Sequence, residues 1–233
     1  MADKFNVITT LELACAAFRV NGSYIKEGGW MHRLQKKDEF PSQVANKILI
    51  LHSLNPDFWF NHYNGLPPKK LLVLDEDTTL AGNIEKFYRR LAFTVMDTTE
   101  NVGFESEVFS IFNKDTITAS EIGYLACLPS LYFRDVSQAT IKKHATKCEN
   151  EYLGAIGQEL FDRDCEILDV SKSKNFDAWN VTAVIDNMMV SWMSKQQLQI
   201  GPCVIINSRI KDLSLHWKHS NPVTRLHYVR VAQ

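Results

Sequence analysis

The chain reads as an α+β protein in two parts: a mainly helical N-terminal region over residues 1–149, followed by a small five-stranded β-barrel over residues 150–233. Three observations predict this. Apolar residues recur at helical spacing through the first two-thirds of the sequence, between helix-start and helix-stop signals. From about Asn150 the period falls to two and the helix signals cease. Five short alternating runs then follow, and closing them into a barrel removes the unpaired edges of an open sheet.

In "TTLELACAAFRVNG", Thr9 or Thr10 can cap a helix that Asn21–Gly22 stops, with Leu11, Ala14, Cys15 and Phe18 on one face. "FPSQVANKILILHSL" repeats the pattern, with Ser42 as cap and Val44, Ile48 and Leu51 as the stripe. "NPDFWFNHYNGLPPKK" breaks it and reads as a long loop. The strongest helix is "DEDTTLAGNIEKFYRRLAFTVM", in which Leu80, Ile84, Phe87, Leu91 and Val95 share a face. Asp75, Glu76 and Asp77 at its start suit the positive end of the helix dipole, although three carboxylates can also hold a metal. "FESEVFSIF" is a short apolar helix. "TASEIGYLACLPSLYFRD" opens with Thr118 and Glu121 in capping-box register and is interrupted by Pro129. Next, "RDVSQATIKKHATKCEN" places Arg134, Lys142, Lys143, His144 and Lys147 on a helix, as a solvated face or a basic flank for phosphates.

Five strands are expected after Asn150. "RDCEILDVSK" carries Cys165, Ile167 and Asp169 on one face, and "FDAWNVTAVI" aligns Trp179, Val181, Ala183 and Ile185. Asp186–Asn187 is good hairpin-turn chemistry, because both residue types tolerate positive φ. "MMVSWMS" pairs back as the third strand, "KQQLQIGP" leaves room for a turn or one helical turn, and "CVIINSRIK" and "VTRLHYVRVA" are the fourth and fifth. The gap between the third and fourth strands fits an OB-like Greek-key barrel. A five-stranded meander and an SH3-like barrel fit the same pattern.

The strand assignment gives the charged residues their places. Lys172 and Lys174 lie in the loop "SKSKN" between strands one and two. His216, Trp217, Lys218 and His219 lie between strands four and five, and the fifth strand adds Arg225, His227, Tyr228 and Arg230. In an OB-like barrel these two loops flank one binding face. Cations neutralise phosphates there, and flat rings stack on unpaired bases. The expected ligand is single-stranded DNA or RNA, gripped through Lys172, Lys174, Lys218, Arg225 and Arg230, with Trp217, Tyr228, His216 and His219 against bases.

The chain's 27 acidic and 26 basic residues leave a formal net charge of −1, so any pull on a polyanion is local. Five scattered cysteines, none in a C-x-x-C pair, together with a start that lacks a basic flank and apolar run, suggest free thiols in the cytoplasm. No apolar run approaches the ~20 residues of a membrane span. Phosphate-loop, zinc-protease, nucleophile-elbow and dinucleotide-fold motifs are all missing, so no enzyme and no cofactor are expected.

"EYLGAIGQELFDRDCEILDV", "WNVTAVIDNMMVSWMSK" and "GPCVIINSRIKDLSLHWKHSNPVTRLHYVRV" together resemble the C-terminal part of uncharacterised tailed-phage proteins, in which a Y-x-G-x-x-G motif leads into such strands. "FYRRLAFTVM", "GFESEVFSIF" and "TASEIGYLACLPSLYFR" resemble the helical module before it, so the similarity runs from about Asp75 to Gln233. It implies a nucleic-acid-handling accessory of replication, recombination or transcription. The terminal "YVRVAQ" lacks the acidic tail with which many single-stranded-DNA-binding proteins recruit partners.

Other chemistries compete for the same residues. His216 and His219, with His227 or Cys203, could chelate zinc, but paired ligand motifs are lacking and no metal is expected. Asp162, Asp164 and Glu166 could suggest a two-metal nuclease, although acids beside a strand are commonly just solvated. Trp179 and Trp192 share strand faces with apolar residues and are expected in the core, whereas Trp217 suits stacking. Trp30, Phe58, Trp59 and Phe60 suit either packing or a protein-docking patch. The alternative function is thus an adaptor that docks a polymerase or host factor, with the barrel as scaffold.

Overall fold

A computed structural model describes residues 3–26, 44–62, 66–95, 103–173, 176–216 and 221–233. The chain divides into two compact units, Met1–Arg134 and Asp135–Gln233.

The first unit is α1 (Val7–Asn21), α2 (Asn46–Leu54), α3 (Asp57–His62), α4 (Asp75–Val95) and α5 (Phe104–Phe112), with a two-stranded ribbon of β1 (Lys4–Asn6) and β2 (Thr116–Thr118). Its core gathers Leu11, Ala14, Cys15, Ile50, Ile84, Ile111 and Leu125, all nearly or wholly buried. The helix α1 begins earlier than the threonines suggest, because Asn6, three positions before Thr9, caps it by accepting the Thr9 N–H. Gly22 ends it in the left-handed conformation, as its sequence position implies. The expected loop after Asn55 contains α3, whose Trp59 is completely buried, so packing and not docking explains that ring. Ser42, Trp30 and the Phe60 side chain lie outside the described residues.

Asp77 decides between the two readings of the acids that open α4. Its carboxylate accepts the Leu74 N–H at 2.9 Å and the Arg19 guanidinium at 2.8 Å, and it is buried. It caps the helix and ties it to α1.

Helix α6 (Ile122–Ala145) spans the division between the units. Glu121 accepts the Thr118 backbone N–H at its start, half of the expected capping box. The predicted interruption at Pro129 does not occur. The ring removes one backbone hydrogen bond, yet Leu125, Ala126 and Leu128 before it are fully buried, and their packing holds the helix through it.

The second unit is a closed barrel of β3 (Glu159–Lys172), β4 (Trp179–Ile185), β5 (Met188–Ser194), β6 (Gly201–Leu215) and β7 (Pro222–Ala232). Its order is β3-β4-β5-β7-β6, with β6 pairing back on β3; β5 and β7 are parallel and every other pair is antiparallel. This is the OB-like Greek key expected from the sequence. Asp186 and Asn187 turn the β4–β5 hairpin, both at positive φ. Val181↔Trp192, Ala183↔Val190 and Ile185↔Met188 point into the core with Cys165, Ile167, Cys203, Ile205 and Leu226. Residues 195–200 connect β5 to β6 without the helical turn the sequence allows for.

The Y-x-G-x-x-G segment now has a physical reason. Gly154 and Gly157 both take positive φ, and a Cβ on Gly154 would lie 3.0 Å from Ile210 and closer still to Gln158. The turn docks on β6 through Gly157 N–H to Ile210 O and Ile210 N–H to Gln158 O, both 2.9 Å. It seats Leu153 in the barrel core, where its N–H reaches the buried Thr224 hydroxyl.

Candidate functional site

The outward side chains of β4 and β5 pair as Asn180↔Met193, Thr182↔Ser191 and Val184↔Met189. The last pair is covered. Ile141 and Ala145 near the end of α6 pack with Leu168, Met189 and Val223, and Cys148 and Val184 lie against the same cluster. Ser137 donates a short hydrogen bond to Asp169 of β3, and Asn221 donates to Ala145 O at 3.2 Å. Helix α6 is thereby fastened over one half of the β4–β5 outer face.

The other half is open. A groove of about 390 Å³ is lined by Asn180, Thr182, Ser191 and Met193 on one side and by Lys211, Ser214, Leu215, His216 and Arg225 on the other. Its lining is mixed: Val181, Trp192, Val223 and Leu226 contribute apolar surface between the amide and hydroxyl groups, and Met193 is 50% exposed. Lys211 and Arg225 supply positive charge, and both are exposed. Arg225 stands 4.0 Å from Asp212, an exposed contact worth at most about 1 kcal/mol, so it does not hold the guanidinium firmly. The His216 N–H bonds to Asn221 O at 2.7 Å and closes the base of the β6–β7 connection.

Of the residues predicted from sequence, His216 and Arg225 meet in this groove. Lys172 ends β3, with its ammonium 6.0 Å from the centre of the half-buried Trp179 ring and 3.9 Å from Asp177. Tyr228 and Arg230 do not line the groove; they lie farther along β7, beside Asn207 and Arg209 of β6. Lys174, Trp217, Lys218 and His219 lie outside the described residues. Strand β6 runs on to Leu215, so Asp212–Leu215, expected in the loop, are strand residues. Asn180, Thr182, Ser191, Met193 and Lys211 are the groove residues that sequence reasoning missed. The signal existed, since alternation against Val181 and Trp192 puts Asn180 and Met193 outside. The exposed Phe176 in the β3–β4 connection was likewise missed as a candidate ring.

A larger pocket, about 620 Å³, lies between Asp164, Glu166, Asp186, Cys165, Cys203 and the end of β7. Its acids repel a polyanion. Asp162, Asp164 and Glu166 are exposed residues of β3 itself, not of a segment before it. Among the described residues no three histidine, cysteine or acidic groups are arranged to hold a metal ion. Cys165 and Cys203 face each other directly across β3 and β6 as free thiols, and burial pushes both above the ordinary thiol range, which makes them poor nucleophiles. His52, beside Trp59 in the helical unit, is held toward its neutral form by burial. Trp192 is in the barrel core, as its strand position suggests. Among the described residues no helix is long and apolar enough to cross a membrane.

The arrangement offers cations, amide and hydroxyl groups and a thioether along an open groove, which suits a flexible, phosphate-bearing strand better than a small enclosed substrate. No protein-family model matches the chain, and no curated protein or solved structure matches it either.

Proposed function

We propose that the barrel binds single-stranded nucleic acid in the groove on the open half of the β4–β5 face, as a non-enzymatic accessory of replication, recombination or transcription. The observation that carries this reading is the coincidence of that groove with Lys211 and Arg225. It lies on the face, formed by the second and third strands, that OB-like barrels use for oligonucleotides. Lys211 and Arg225 would neutralise phosphates, Asn180, Thr182 and Ser191 would offer hydrogen bonds to base edges, and Met193 an apolar rest for a base. The resemblance of the strands and the Y-x-G-x-x-G turn to tailed-phage proteins agrees with such a role, and a phage-encoded protein is part of the proposal.

The test is fluorescence anisotropy with a labelled single-stranded oligonucleotide across a salt series. Affinity should fall steeply as salt rises, because bound cations displace counterions from the phosphates. Replacing Lys211 and Arg225 with alanine should weaken binding by about tenfold or more and flatten the salt dependence by about one to two units of slope. Absence of binding at low salt would overturn the reading and promote the adaptor, in which the barrel docks another protein.

A further inference from the structure

A second feature of the barrel lies outside the groove. Tyr228 is the most exposed large hydrophobic residue of the barrel strands, at 78%, and its backbone sits at φ 53° within β7. A non-glycine residue at positive φ is strained, and such strain persists where something else fixes it. It breaks the ladder as a bulge does and turns the ring outward. That ring lies 4.3 Å from the His227 ring, tilted by 33°, which leaves its opposite face to solvent.

Its neighbours form a set. Phe161, Asn207 and Arg230 occupy one row across β3, β6 and β7, and Arg209 pairs with His227 one row on. Phe161 and Ile206 are exposed at 58% and 45%. The Arg209 Nε donates to Gly157 O at 3.0 Å, which fixes that guanidinium on the surface. In the same stretch of β6, Asn207 Oδ1, opposite Phe161, is buried without a hydrogen-bond partner. An orphaned acceptor beside an exposed ring is unusual in a merely solvated surface. Charge does not dominate, because Glu159 stands opposite Arg209 and Asp162 follows Phe161. The cluster is suited to a flat, weakly charged group more than to phosphate.

We infer that the β3–β6–β7 face carries a separate base-stacking subsite, in which an unpaired base of a strand leaving the groove stacks on Tyr228 beside Phe161 and Arg230. The inference rests on the groove reading and extends the footprint. Arg225 and Tyr228 are three positions apart on β7, roughly 10 Å along the strand, and barrels of this type engage about 4–16 nucleotides.

The test compares labelled oligothymidylates of about 2 and about 20 nucleotides, the first too short to reach past the groove, on the full chain, with Tyr228→Gly as the variant. Glycine relieves the strained backbone, so the melting temperature should hold or rise. Tyr228→Asn, which also tolerates the left-handed region, is the second variant should glycine loosen the strand. The subsite predicts a loss of about fivefold to a hundredfold on the long oligonucleotide, unchanged affinity on the short one, and an unaltered salt slope, because stacking releases no counterions. Unchanged long-oligonucleotide affinity, with Arg225→Ala still weakening both lengths, would overturn the subsite and leave the groove standing. An equal loss on both lengths would overturn the separation of the two sites. No binding by the unaltered protein at low salt would overturn the groove reading, and the subsite with it.

Discussion

The outer face of β4 and β5 is one continuous surface with two unlike halves. Toward the hairpin turn, Val184 and Met189 join Leu168 and Val223 beneath α6. Toward the other end, Asn180, Thr182, Ser191 and Met193 stay open beside Lys211 and Arg225. The strands, pairing and twist are shared, so only side chains separate the halves. A closed barrel needs its interior filled, and its outer face is free to vary. Here one half is spent on stability and the other is left to chemistry. A base laid on the covered half would first have to displace α6.

The largest effect should come from charging the covered half. Met189→Asp places a carboxylate under Ile141 and Ala145, and should destabilise the barrel by about 3 kcal/mol or more, measured by urea unfolding. Met193→Asp, four positions along β5 on the open half, should leave stability within about 0.5 kcal/mol while weakening oligonucleotide binding. If both substitutions destabilise equally, the division of the face is wrong. A smaller effect comes from the fastening itself. Ser137→Ala removes the donor to Asp169 and should cost about 1 kcal/mol, read by denaturation, and increase hydrogen exchange in the last turns of α6 without altering affinity for a short oligonucleotide.

The smallest effect sets the background, at a capping contact remote in sequence from the barrel. Lys114 and the Thr118 N–H and hydroxyl hold the Glu121 carboxyl down at about 2. A depressed carboxylate contributes stability that is present above its unfolded value near 4.5 and is lost as pH falls toward 2. Glu121→Gln should therefore cost about 1 kcal/mol or less at neutral pH and progressively less as the pH falls from 4.5 through 2. A pH series of thermal melts on both proteins checks this, and an unchanged gap between them at low pH would contradict it.

Much of the barrel was legible because alternation is a strong signal wherever one face is buried. Val181, Ala183 and Ile185 against Val190 and Trp192 leave little choice of register. The strand ends were not legible. Asp162 at positive φ and the register shifts along β6 and β7 break the two-residue period, so β3 starts earlier and β6 ends later than their patterns imply. The missed α3 and the unbroken α6 have one cause. Burial of Trp59, and of Leu125 and Leu128, outweighs local proline signals that sequence reading weighs heavily. The site was half legible. Arg225 and His216 announce themselves by residue type, but Asn180, Ser191 and Met193 become a groove wall only once the cover over their neighbours is known. Tyr228 and Arg230 look like companions of Arg225 in sequence, and the bulged course of β7 carries them to another face.

Strand β7 lies between β5 and β6, and it closes the sheet by a parallel pairing on one side and an antiparallel one on the other. The seam between β3 and β6 joins residues as far apart as Glu159 and Arg209. Such a topology gains little from partial assembly, because loop-closure entropy is spent before the distant strands repay it. Until β7 is in place, β5 and β6 each present a bare edge of unpaired amides, the kind of surface on which chains join one another. The kinetic hazard of this molecule therefore lies in the interval before its last strand docks, when a half-built barrel is most able to mistake a neighbour's strand for its own.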